Sequence, residues 1–172
     1  NAPAESRDVM LGHLGRLLAS PGPSFFLFAA ACQAFRAIGR VSTPHWDGRE
    51  ADAVRRLIAT AADQDWSQVT PALVQLIDRA DVHSVRSPLR TNTAFALALG
   101  MKPRAALVLL KRELRADLFG VRLILRVRPV LSELAGSEEH VDQIAFRHGY
   151  EDHSQLDRDF GRLLGVSPKR FR

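Results

Sequence analysis

Cysteine is almost missing from this chain: one residue, Cys32, stands among 172. No disulfide can close within it, which fits a reducing, cytoplasmic setting. A lone thiol also cannot supply a four-ligand zinc site, so Cys32 reads as a small buried hydrophobe. Aromatics are scarce, at 7% against 46% hydrophobic residues overall, which favours packed helices over a sheet. The leading half has no stretch alternating apolar and polar residues in the period of a half-buried strand. The most apolar run, residues 25–31, is far short of the roughly 20 residues that cross a bilayer. There is no signal-peptide pattern, no Walker loop and no dinucleotide glycine pattern. The six histidines, His13, His45, His83, His140, His148 and His153, lack metal-ligand spacing. Serines near histidines have no third partner for nucleophilic catalysis. The expectation is a protein with no enzymatic chemistry, no metal, no cofactor and no membrane segment. Asn1-Ala2 reads as the scar of a cleaved tag, and the absence of a leading Met is compatible with a piece of a longer protein.

What is present is charge, unevenly spread. The net charge is +5. Residues 1–85 hold eight basic and nine acidic side chains, and residues 86–172 hold 16 and ten, so the excess lies wholly in the second part. A basic half of this kind suits a polyanionic partner. In the first half, residues 7–19 have helical periodicity, ended by Ser20-Pro21-Gly22-Pro23. Ser24 caps a helix to about Ile38 that is apolar on nearly every side, carrying Phe25, Phe26, Phe28 and Phe35. Such a helix is buried or lies in an interface; core packing is the plainer reading, and a small-molecule pocket or dimer seam the sharper one. A loop with Pro44, His45 and Trp46 follows. Asp47 and Glu50 then make a capping-box pattern, and Thr70-Pro71 reads as N-cap and first residue of a further helix.

Residues 137–172 read as two short helices across a tight turn. Ser137 is placed to cap the first, with Glu138 and Glu139 in its first turn. Val141, Ile144 and Ala145 form one apolar face, and Gly149 ends the helix. Asp152 with Gln155 suggests a capping box for the second helix. Leu156, Phe160, Leu163 and Leu164 line its inner side; Ser154, Gln155, Arg158 and Arg162 fall on the opposite side. Gly165 ends it, and Ser167-Pro168 starts a last short helix. A polar, basic outer row on the second helix of such a pair suits the DNA major groove. A helical hairpin with a solvated basic face is the bland alternative.

The ordered set Ile144-Ala145, Gly149-Tyr150, Asp152, Ser154, Leu156, Arg158, Phe160, Gly165, Ser167-Pro168 and Phe171-Arg172 resembles the second helix–turn–helix of AraC/XylS-type transcription regulators. Tyr150 and Leu156 stand where that family usually has Phe. Gly161 replaces a usual Lys or Arg, and Asp157 and Asp159 flank Arg158, which is expected to weaken contact with phosphates. A weakened copy of the motif precedes it. Phe95-Ala96 answers Ile144-Ala145, Gly100 answers Gly149, Ala106 answers Leu156, and Leu110 answers Phe160. In the outer row Arg104 stands opposite Ser154 and Arg112 opposite Arg162, while Ala105 and Val108 replace Gln155 and Arg158. Residues 117–134 read as one joining helix, with Arg122, Arg126 and Arg128 as its charges. Pro129 is expected to kink it or start a new turn.

The resemblance covers about residues 86–172 and implies an all-α, homeodomain-like pair of helix–turn–helix subdomains joined by a long helix. It implies double-stranded DNA as partner, the two heads entering successive major grooves roughly 34 Å apart. Base edges would be met by Ser154, Gln155 and Arg158, with His153 as an extra; phosphates would be held by Arg162, Lys169 and Arg170, and in the first motif by Lys102, Arg104, Lys111 and Arg112. Residues 1–85 form a helical region for dimerisation or effector sensing, in place of the β-barrel the family often carries there. A homodimer fits because one intact reading head covers few base pairs. The rival is a protein-interaction module on the same fold with weak or lost DNA reading; the first motif's apolar outer face would also suit docking of the leading half.

Overall fold

The computed structural model describes residues 6–41 and 46–172. Asn1-Ala2 and the loop residues Pro44 and His45 lie outside these. Among the described residues there is no strand: ten α-helices and one short 3-10 turn make an all-α fold. Two compact units emerge, one formed by residues up to Gln64 with Arg128–Arg172, the other by Asp65–Val127.

In the first unit α1 (Arg7–Ala19) begins where Ser6 accepts from the Val9 N–H, and α2 (Phe25–Arg40) where Ser24 accepts from Leu27 at 3.2 Å. The capping box opening α3 (Gly48–Ala62) is complete, with Asp47 bonded to the Glu50 N–H and Glu50 bonded back to the Asp47 N–H. Helix α2 is the hub, packing against α1, α3 and α9 (His153–Leu164). That is why it is apolar almost all round: Phe25, Phe26, Phe28, Ala30, Ala31, Cys32, Ala34 and Ile38 are all buried. Burial pushes the Cys32 thiol far up, so it stays an unreactive hydrophobe.

Three arginines in this unit close helix ends. Arg7 donates to the Ile38 carbonyl at 3.1 Å at the end of α2. Arg36 donates to the Arg162 carbonyl in the last turn of α9. Arg172 donates to the Leu134 carbonyl at 3.3 Å near the end of α7 (Leu118–Gly136). A guanidinium there satisfies orphan carbonyls and meets the negative end of the helix dipole.

In the second unit are α4 (Pro71–Arg79), α5 (Asn92–Ala98) and α6 (Pro103–Leu114). Thr70 is the N-cap of α4, but its side chain makes no capping bond. Its N–H and hydroxyl instead both donate to the Glu113 carboxylate of α6 at 2.8 Å. Helix α7 begins at Asp117, which accepts from the Gly120 N–H at 2.7 Å, and continues through Pro129 without starting a new helix. Arg126 is buried on it, 8% exposed. Helix α2 packs on α9, and Thr70 ties α4 to α6.

Candidate nucleic-acid interface

The two helix pairs α5–α6 and α8–α9 repeat one geometry, with α8 spanning Val141–Arg147. Each pair is closed by a left-handed glycine, Gly100 at φ 65° and Gly149 at φ 79°. In both turns the next residue's N–H reaches back across the helix end: Met101 to the Ala96 carbonyl at 2.9 Å, Tyr150 to the Ala145 carbonyl at 3.0 Å. Helices α5 and α6 meet at 85°, close to the right angle such motifs use. The second helices have 12 residues each and share three buried positions: Ala106, Leu110 and Leu114 in α6 answer Leu156, Phe160 and Leu164 in α9, which buries Asp159 as well.

Helix α9 starts at Asp152, which accepts from the Gln155 N–H at 2.7 Å. The expected capping box is altered. The Gln155 side-chain oxygen reaches one residue further back and accepts from the Glu151 N–H at 3.4 Å. Because a backbone N–H can only donate, this fixes the amide with its NH2 group as the outward end. Gln155 is half-buried as a result, while His153, Ser154, Arg158 and Arg162 are exposed. His153 stands 3.5 Å from Asp142 of α8, a surface pair that water weakens.

Two expectations need correction. Asp159 does not flank Arg158 on the outer row: it is buried, 4% exposed, because it falls one turn from Leu156 beside Phe160 on the inner face. Only Asp157 is exposed, so of the two carboxylates it alone stands on the outer side beside Arg158. Ser137 does not cap α8 either. It closes a local turn by accepting from the Glu139 N–H at 3.0 Å, and α8 starts four residues later, after His140.

Gly161 faces open space, where an added Cβ would meet nothing within 4 Å. No steric demand holds glycine at that outer position, which Lys111 occupies in α6. After α9, Ser167 caps α10 (Pro168–Phe171) by accepting from the Arg170 N–H at 3.3 Å. Lys169 and Arg170 are exposed on it. In the first motif Lys102, Arg104, Lys111 and Arg112 are all exposed, and Arg112 pairs with Glu113 at 3.0 Å.

Residues 95–172 match the family model of a helix-turn-helix domain. The match supports an AraC-type DNA-binding domain in that span. It begins inside α5, takes in α6 to α10 and leaves α1 to α4 unmatched. The family is one of DNA-binding regulator domains, not of enzymes. No curated protein and no solved structure matches the chain. No single helix among the described residues is long and apolar enough to cross a membrane.

The matched span has supports that lie outside it. Arg36 of α2 caps the end of α9, and the Phe35 and Phe171 rings stand 5.9 Å apart. Sequence reading gave Arg36 no role; a lone arginine beside buried phenylalanines was the only signal. A second cluster joins α7 to α8. Glu133 is met by Arg147 and by the His148 Nε2 at 2.5 Å, and Arg147 also meets Glu139 at 2.5 Å. Burial, then the Arg147 charge, holds the His148 imidazole below its ordinary range. It is therefore read as neutral, donating its Nε2 proton to Glu133.

Proposed function

We propose that the chain is a sequence-specific transcription regulator of the AraC/XylS type, with α9 as the main base reader and α6 as a degenerate second reader. The observation that carries this is the split of α9 into two faces: Leu156, Phe160 and Leu164 buried, Ser154, Arg158 and Arg162 exposed. Ser154, Arg158 and the NH2 end of Gln155 meet base edges, with His153 at the helix start. Arg162, Lys169 and Arg170 hold phosphates and set register; Lys102, Arg104, Lys111 and Arg112 do so for α6. Residues 86–172 act as the DNA-binding domain on double-stranded DNA in the cytoplasm. Residues 1–85 serve dimerisation or effector sensing, with a homodimer as the working form. A small-molecule effector there would raise the melting temperature of the protein.

The deciding experiment is selection from random duplex DNA by the purified chain at near-physiological salt. A recovered motif supports the reading, and palindromy in it supports the dimer. No enrichment by folded protein counts against it. One observation favours the rival, a protein-interaction module: Leu97 is 80% and Phe146 61% exposed on the first helices of the two motifs. Salt separates the two, since DNA affinity falls steeply as counterions compete.

A further inference from the structure

Val108 is a branched apolar side chain left 59% exposed on the outer row of α6. By the three buried positions the helices share, it stands where Arg158 stands in α9. Ala105, also exposed, lies one turn before it on the same face. Lys102, Arg104, Lys111 and Arg112 surround the two, all exposed. The row is a small apolar strip in a basic frame.

Neither Ala nor Val can read a hydrogen-bond pattern. The major groove offers one apolar feature, the 5-methyl group of thymine. A docked amphipathic helix would need apolar anchors over several turns, whereas Arg104, Lys111 and Arg112 interrupt this row after two. The strip offers three methyl groups, one from Ala105 and two from Val108, enough to cover one or two thymine methyls, and its frame suits phosphates on either side.

We propose that the first helix–turn–helix still reads sequence: Val108, with Ala105 beside it, selects thymine through its methyl group. The four basic residues hold the backbone there. This rests on the DNA-binding function proposed above.

The test replaces each thymine of the selected duplex in turn with deoxyuridine, which removes only the methyl. Binding is compared for the unaltered chain and for Val108→Ala, an exposed substitution that leaves the core intact. At one or two thymines the replacement weakens the unaltered chain about fourfold, the worth of one buried methyl. At those positions it leaves Val108→Ala unaffected. If every deoxyuridine penalty is the same in both proteins, the inference fails while the reading by α9 stands, provided Arg158→Ala still alters the motif. If no motif is recovered, both fail together. If Val108→Ala leaves DNA binding untouched but abolishes capture of an acidic helical peptide, the strip is a protein surface and the inference is overturned.

Discussion

The two helix–turn–helix motifs share an inner face and differ in the outer one. Helices α6 and α9 share three buried apolar positions, and both turns use a left-handed glycine with the same return bond. Yet Arg158 gives way to Val108 and Gln155 to Ala105. The inner row is fixed by packing, which punishes any change in volume; the outer row is free to follow whatever it touches. Structural equality and functional inequality can therefore be tested separately. The largest effects should be the equal ones. Phe160 and Leu110 are both 0% exposed, so Phe160→Ala and Leu110→Ala should each cost about 2–5 kcal/mol of stability. Urea unfolding measures this, and a loss under about 1 kcal/mol for Leu110→Ala would mean that the first motif is loosely built.

The next effect should be unequal. Arg158→Ala should loosen specificity by about 1–3 kcal/mol at one base pair, read as changed preference in the selected motif. A uniform loss across all sequences would make Arg158 a phosphate contact and leave the second motif without its main reader.

A smaller contrast lies at the helix ends. Helix α9 closes at Gly165, φ 76°, whereas α6 closes at Arg115, φ 55°, the one non-glycine residue with positive φ among those described. A side chain in that region costs roughly 1–2 kcal/mol. Arg115→Gly should thus stabilise the protein by about 1 kcal/mol, and Gly165→Ala should destabilise it by a similar amount. The cost at Gly165 is conformational, since an added Cβ meets only the Arg36 Cγ at an ordinary 3.6 Å. Thermal melts that move in the same direction for both variants would overturn the pairing.

What the sequence made legible was local. Periodicity placed α1 on residues 7–19 and the inner row of α9, the internal repeat carried that row over to α6, and side-chain chemistry placed the Asp47/Glu50 box and the Ser167-Pro168 start. Each of these signals lies within a few residues of what it specifies. The errors arose where neighbours compete. Ser137 caps its own short turn instead of α8, Gln155 bonds one N–H further back, and Asp159 turns inward although it adjoins Arg158. The packing of α2 on α9 was not legible at all. Arg36 and Arg162 are 126 residues apart in the chain, and no local pattern records such a partner.

The smallest expected difference concerns protons. His148 ends α8, and the residue ending α5 is Leu99. Only the second motif therefore carries a titrating group at that place. In the folded chain the His148 pKa lies below its ordinary 6.5, from burial first and the Arg147 charge second. The unfolded chain takes up that proton more readily, so stability is fully present above the ordinary value and declines as pH falls through it. His148→Gln keeps an N–H donor for Glu133 but cannot titrate. Between about pH 7.5 and about pH 5.5, the interval in which an ordinary histidine charges, the melting temperature should fall further for the unaltered chain than for His148→Gln. Equal slopes would mean that Glu133, 2.5 Å from the ring, welcomes the proton as much as burial resists it. The two turns would then be alike in their response to acid despite their different residues.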